Sequence, residues 1–371
     1  MTDPAANWPD AKVALCHDWL SGMRGGERVL EILCHAYPQA PLYTLLANPD
    51  AVSETIRNRP IRTSCLQRIP GIVQHYRSFL PLFPAAVRSL KPEPADIMIS
   101  TSHCVAKSIR KPPNCHHLCY CFTPMRYAWT FQEEYLGSKW RTTLAKPLLA
   151  ALRHWDARTA DRVDTFIAIS NHVKKRIEDY YQREASVIYP PVDTDRCTPG
   201  PDGGTRDFDL IVSALVPYKR IDLAIEAYNR TGHPLRIIGT GGSRDKLEAK
   251  AAPNIIFEGW QPDDIVLERY RNCRLLVFPG EEDFGIVPLE AQACGKTVVA
   301  YNRGGACETI RANQTGIFFE DQTPDDLANA VHVAGKRIWD PVAIRQHALT
   351  FSNTAFIAAM QDAIRACLDK R

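Results

Sequence analysis

The second half of the chain sets the strongest constraint on its fold. Short apolar runs recur at residues 209–213, 235–240, 255–259, 274–279, 297–301 and 316–319, with starts 19 to 26 residues apart. Stretches with helical apolar spacing lie between them, among them 221–230 and 262–272. A strand buried on both faces reads as a continuous apolar run, and strands alternating with helices at this interval build a parallel sheet covered on both sides. Right-handed crossovers then bring the C-terminal ends of the strands to one edge, where such sheets bind ligands.

The first half opens with the same rhythm. Residues 13–17 read as a strand, 18–27 as a loop and 27–37 as a helix, with further strands at 96–100, 117–122 and 165–170. Residues 193–208 are dense in Asp, Gly and Pro and predict a hinge. A chain of 371 residues suits two domains. The expected architecture is α/β, with two doubly wound, Rossmann-like domains at 1–195 and 205–350 facing a cleft. A helical tail at 351–371 crosses back to the first domain.

Composition removes several function classes. Lys plus Arg number 45 against 42 Asp plus Glu, a net charge of +3, too balanced for a nucleic-acid binder driven by bulk charge. The polar start MTDPAANWPD lacks the pattern of a secretory signal, and no apolar run is long enough to span a bilayer. The twelve cysteines lie mostly in apolar segments, which fits a reduced cytoplasmic protein. Cys115, His116, His117, Cys119 and Cys121 crowd together but lack a second ligand pair, so they read as a buried strand rather than a zinc site. Residues 76–91 and 139–153 combine cations with apolar residues. They are either ordinary half-buried helices or a peripheral contact with anionic lipid on the inner face of the cell membrane.

The chemistry concentrates in LVFPGEEDFGIVPLEAQACG, residues 276–295. A strand runs into an acidic, glycine-containing loop and then a helix, with Pro288 in its first turn and Gly295 at its end. The amides of Phe284, Gly285, Ile286 and Val287 then point out of a helix N-terminus, which favours a phosphate. Glu282 and Glu290 flank the loop with seven residues between them, Glu290 in the first helical turn. Carboxylates accept hydrogen bonds from vicinal hydroxyls, so a phosphate between two such acids outlines a sugar nucleotide. The plainer reading makes both acids ordinary partners of the helix dipole.

This segment resembles the signature of the retaining glycosyltransferases with the GT-B fold, whose motif is Glu, seven residues, Glu. The likeness extends to residues 213–230 (SALVPYKRIDLAIEAYNR), CHDWLSGMRGGERVLEIL, CYCFTPMRYAW and DTFIAISNHVKKRI, nearly the whole chain. Within that group it is most similar to bacterial enzymes assembling O-antigen or exopolysaccharide, particularly mannosyltransferases. The resemblance implies transfer of a sugar, with mannose from GDP-mannose the leading candidate, to a glycan or lipid-diphosphate-linked glycan, with retention of configuration. It implies no cofactor or metal, the nucleotide sugar (GDP- or UDP-linked) being substrate.

The resemblance also assigns roles. Glu282 and Asp283 lie at the donor sugar, and Glu290 at the ribose. Lys219 neutralises the diphosphate; the family's usual Arg position reads Ala214, so Arg220 is expected to supply the second charge. Gly25, Gly26 and Ser213 join the donor site, while Asp18, Trp19, Arg126 and Tyr127 face the acceptor, with Ser170 and Asn171 also at the cleft edge. A histidine near the donor sugar is usual where this chain has Phe122; either His103 fills that space or the site accepts an apolar wall. Competing readings are a GT-B sugar-nucleotide epimerase, a glycan phosphorylase, and a donor-binding subunit with weak turnover.

Overall fold

The computed structural model describes residues 8–130, 139–201 and 207–370, with side chains of the helix Lys139–Thr159 described from residue 145 on. The chain forms two compact units, Met1–Pro190 with Phe356–Arg371, and Pro191–Ala355. The N-terminal residues 1–7, part of the hinge segment (202–206) and the first side chains of the basic stretch 139–153 lie outside the described residues.

Unit 1 holds seven parallel strands: β1 (Val13–His17), β2 (Leu42–Thr44), β3 (Ile61–Thr63), β4 (Ile97–Ser102), β5 (His116–Cys121), β6 (Thr165–Ala168) and β7 (Ala185–Val187). Their order is β3-β2-β1-β4-β5-β6-β7. Every residue of β1 and β4 is buried, as covering helices on both faces require. The tail helix Asn353–Leu368 joins this unit: Phe356 meets Tyr120 edge-on with ring centroids 5.6 Å apart, and the Cys367 thiol lies 3.7 Å from Thr165 Oγ1. β2, β3 and β7 leave no pattern in the sequence. Each has only three residues, too few for any periodicity to register.

Unit 2 holds six parallel strands: β8 (Asp209–Val212), β9 (Leu235–Ile238), β10 (Ile255–Gly259), β11 (Leu275–Phe278), β12 (Thr297–Tyr301) and β13 (Gly316–Phe319). Their order is β10-β9-β8-β11-β12-β13. Here the reading from apolar runs matches strand for strand, because every run is bounded by turn residues. A buried charge fixes the sheet's start. Asp209 is fully buried and accepts from Arg274 Nε at 2.9 Å, Arg274 Nη2 at 2.6 Å and the Tyr228 hydroxyl at 2.6 Å. Three donors on one carboxylate offset the cost of taking it out of water.

Both sheets run 3-2-1-4 across their centres, so strand order reverses between β1 and β4 and again between β8 and β11. The crevice outside the strand ends at such a reversal is where doubly wound sheets bind ligands. All twelve cysteines are unpaired, and all but Cys65 and Cys307 are buried. The Cys- and His-rich stretch is indeed strand β5. His117 there is pressed down to a pKa of about 3 by burial, and its imidazole bonds the Ser100 hydroxyl at 2.8 Å. Among the described residues no helix is long and apolar enough to cross a membrane.

Candidate functional site

In unit 2, the chain leaving β11 passes through residues 279–285 into the helix Ile286–Ala293. Gly285 caps this helix at φ +104°, in the left-handed region that side chains disfavour. The first amides of the helix have no acceptor one turn back and carry the positive end of its dipole, a ready seat for an anion. Phe284 is 3% exposed and packs on Phe351 at 6.0 Å between ring centroids, and Asp283 is 7% exposed. Phe284 therefore shapes the loop by its packing. Ile286 and Val287 are half-buried at the helix start.

A second turn, not singled out in the sequence, sets the backbone of this loop. The Gly305 amide donates to the Glu282 carbonyl at 2.8 Å, and a Cβ built on Gly305 would fall 2.2 Å from Phe284 Cα. No side chain fits there, so the glycine pair after β12 is what lets the acidic loop lie flat against its neighbour.

Lys219, in the short helix Pro217–Lys219, forms an ion pair with the Glu282 carboxylate. The two side chains are 13% and 24% exposed, so the pair is sheltered yet reachable. Ser213 follows β8, its hydroxyl donating to the Ala214 carbonyl at 3.2 Å. Arg220 departs from expectation. It adopts φ +52° and its guanidinium goes to Gln322 Oε1 at 2.8 Å and Asp222 Oδ1 at 3.4 Å. Its charge is matched by Asp222 instead of standing beside Lys219 for a diphosphate. Glu290 is the fifth residue of its helix, one turn later than expected, because the helix starts at Ile286. Its Oε2 accepts from the Tyr270 hydroxyl at 2.8 Å.

In unit 1 the reversal point gathers a second set of groups. The Asp18 carboxylate is fully buried and accepts four backbone amides: His103 and Cys104 on Oδ2 at 2.6 and 2.9 Å, Val105 and Ala106 on Oδ1 at 2.6 and 2.7 Å. His103 Nδ1 lies 3.1 Å from the same Oδ2. Burial alone would raise its pKa, but the His103 imidazole, the His103 amide and the nearby His17 outweigh it and lower Asp18 to about 2. Asp18 was expected to face an acceptor; its lone pairs are instead spent on the 103–106 turn and its neighbour His103. Trp19, expected beside it, is 4% exposed and packs among Tyr76, Phe83 and His103.

His103 itself is 28% exposed, edge-on to Trp19 at 4.5 Å and 6.4 Å from the Phe122 ring. Gly25 and Gly26 are the first two residues of the helix Gly25–Ala36, which starts two residues earlier than expected. A Cβ on Gly26 would come 3.3 Å from Phe122 and 3.6 Å from His17. His17 and Glu27, 3.9 Å apart and both buried, were not foreseen; His17 Nδ1 bonds Thr101 Oγ1 at 2.7 Å. Arg126 and Tyr127 are half-buried on the turn Arg126–Trp129. Trp129 anchors that turn by stacking on Tyr180 at 4.4 Å and donating to Asp156 Oδ2 at 2.8 Å. Ser170 is buried and caps the helix Asn171–Tyr181, its hydroxyl oxygen accepting from the Val173 amide at 3.0 Å. Among the described residues no group of three His, Cys, Asp or Glu side chains is placed to hold a metal ion.

Comparison with known proteins agrees with this fold. A family model for glycosyl transferases group 1 matches residues 202–334, and one for glycosyltransferase family 4 matches residues 23–196. An uncharacterized glycosyltransferase of Methanocaldococcus jannaschii is 31% identical over 173 residues, covering 45% of this chain and 48% of that protein. A GDP-mannose-dependent alpha-(1-6)-phosphatidylinositol monomannoside mannosyltransferase of Mycobacterium tuberculosis is 30% identical over 204 residues, covering 47% of this chain and 53% of that protein. The chain thus spans about half the length of the curated relatives it matches. Among solved structures, Anabaena HepE in complex with UDP and glucose superposes with a TM-score of 0.71 at 16% identity, covering 96% of this chain and all of that one.

Proposed function

Because this chain belongs to the group 1 glycosyltransferases and has their GT-B fold, we propose that it moves a hexosyl group from a nucleoside diphosphate sugar to a glycan or lipid-linked glycan, retaining anomeric configuration. The observation that carries this reading is the sheltered Lys219–Glu282 pair at the mouth of the helix Ile286–Ala293. A sugar linked to a phosphate offers hydroxyls and a phosphate oxygen side by side, and this site offers a carboxylate and an ammonium side by side. Mannose from a guanosine nucleotide is the preferred donor, supported by the mannosyltransferase relative.

In this reading the diphosphate lies on the amides opening that helix and on Lys219, Glu282 holds the sugar hydroxyls, and Glu290 holds the ribose. An acceptor hydroxyl oxygen bonds to the anomeric carbon as the bond from that carbon to the β-phosphate oxygen breaks. The pair of electrons leaves with the nucleoside diphosphate, whose departing oxygen takes the acceptor's proton. Charge growing on that oxygen is what Lys219 and the helix amides stabilise, and the reading assigns no metal to the step. On unit 1, His103 is held by Asp18 through Nδ1, which leaves Nε2 as the nitrogen to accept from a substrate hydroxyl beside Phe122.

We further place the protein in the cytoplasm against anionic lipid. Leu82 and Leu148 stay 48% and 44% exposed in segments that also carry Arg77, Arg88 and Lys146. The test is turnover. Purified protein is offered GDP- and UDP-linked hexoses with a lipid-linked glycan acceptor, and both nucleotide release and cosedimentation with anionic vesicles at low salt are measured. Acceptor-dependent release of one nucleotide supports the reading. Binding without release in any combination would leave only a donor-binding subunit, and protein that stays in the supernatant would refute the lipid contact.

A further inference from the structure

The carboxylate assigned to the ribose is held from a neighbouring helix. Tyr270, on the helix Asp263–Asn272, is 1% exposed, and its hydroxyl donates to Glu290 Oε2 at 2.8 Å. Burial pushes the Tyr270 phenol well up, and the Glu290 charge adds to this, so the hydroxyl keeps its proton and serves Glu290 as a neutral donor. From the other side, Arg196 Nη2 comes within 3.9 Å of Glu290 Oε1. Arg196 is itself fixed, with Nη1 donating to the Asp263 carbonyl at 3.2 Å and lying 3.3 Å from the Asp263 carboxylate. The segment carrying Arg196 is tied down by Arg345, which donates to the Thr194 and Cys197 carbonyls at 3.1 and 2.7 Å and to the Ala293 carbonyl at the end of the Glu290 helix.

A glutamate side chain has three rotatable bonds, and ordering it at the moment a ligand arrives weakens binding. Here that ordering is done in advance. Tyr270 meets one oxygen and Arg196 the other, so the plane of the carboxylate is set by groups outside its own helix. A vicinal diol recognises a carboxylate only when that plane is right.

We propose that Tyr270 is a positioning residue for nucleotide recognition: by clamping Glu290 it makes the protein select ribonucleotides over 2′-deoxyribonucleotides. The inference rests on the reading of Glu290 as the ribose partner. Tyr270 touches no substrate in this account; it acts through Glu290 alone.

The experiment measures dissociation constants of the full-length protein for GDP, UDP and their 2′-deoxy forms by calorimetry, for the natural sequence and Tyr270→Phe. The natural protein should bind its preferred ribonucleotide about tenfold or more tightly than the deoxy form, the size expected from one charge-assisted hydrogen bond. Tyr270→Phe should weaken the ribonucleotide several-fold while leaving the deoxy form within twofold, so the ratio collapses. In turnover KM for the donor should rise with kcat nearly unchanged. If the natural protein does not separate the two sugars, the assignment of Glu290 to the ribose fails. If it does, and Tyr270→Phe keeps the same ratio or loses both ligands equally, that assignment stands and the role of Tyr270 is overturned. Should Tyr270→Phe not fold, Arg196→Met probes the other side of the clamp and should lower the same ratio; an unchanged ratio there is equally fatal.

Discussion

Replacing Glu282 by alanine should lower sugar transfer about 10²–10³-fold, the usual loss when a preorganised polar group at the reacting centre is removed. Nucleoside diphosphate binding should survive and even tighten. Lys219 is paired with Glu282, and a diphosphate must compete with that carboxylate for the ammonium. Removing the carboxylate frees the ammonium for phosphate, so the variant should hold GDP or UDP at least as well while transferring poorly. Lys219→Ala should do the reverse at the binding step and weaken the diphosphate. Lys219 ends a short helix and Glu282 lies on a loop, and neither is deeply buried, so melting temperatures should stay within a few degrees. Activity retained in Glu282→Ala would remove this residue from the reaction.

The largest effect on stability is expected at Lys107. It is 1% exposed, its ammonium lies 2.9 Å from the fully buried Asp156 carboxylate and donates to the Asp156 carbonyl at 2.7 Å, and it sits over the Tyr181 ring at 4.5 Å. Asp156 also receives the Trp129 indole at 2.8 Å and the Tyr181 hydroxyl at 2.7 Å. Lys107→Ala would leave that carboxylate without its cation in a low-dielectric interior, a loss of about 3–5 kcal/mol. For a protein of this size that corresponds to a fall in Tm of about 10 °C, measurable by calorimetry. The double variant Lys107→Met with Asp156→Leu should recover part of the loss, because no charge is then left unpaired. A single variant within a degree of the natural protein would show that the ion pair contributes nothing net. Since Asp156 also holds Trp129, the same network fixes the turn that carries Arg126 and Tyr127.

The regular part of the molecule was legible because it repeats. In unit 2 each strand is an apolar run, β9, β10, β11 and β12 meeting Gly, Pro or Asn at their ends, and the longer crossover helices show an apolar stripe. The acidic loop was legible for a related reason, since the strand before it and the proline and glycine around its helix mark where an anion would sit. What escaped reading depends on partners far away in the chain. Asp18 looks like any polar residue at a strand exit. That its carboxylate is consumed by the amides of residues 103–106, 85 to 88 positions later, is a fact of tertiary packing. Arg220 follows Lys219 and reads as a second cation, but its left-handed backbone sends the guanidinium to Asp222 and Gln322. Non-glycine residues enter that region rarely enough that sequence gives no warning. Tyr270 lies on an amphipathic helix and reads as core, and only its distance to Glu290 separates it from a packing residue.

The proposed seat of the diphosphate is the loop entering the helix Ile286–Ala293, with acids on either side. A crystal of the full chain grown with its preferred nucleoside diphosphate tests it most directly. Phosphate oxygens should lie within hydrogen-bond distance of the amides of Gly285, Ile286 or Val287 and of Lys219 Nζ, with the ribose hydroxyls on Glu290. Density for the nucleotide at any other edge of unit 2, or a ribose that leaves Glu290 untouched, would contradict it.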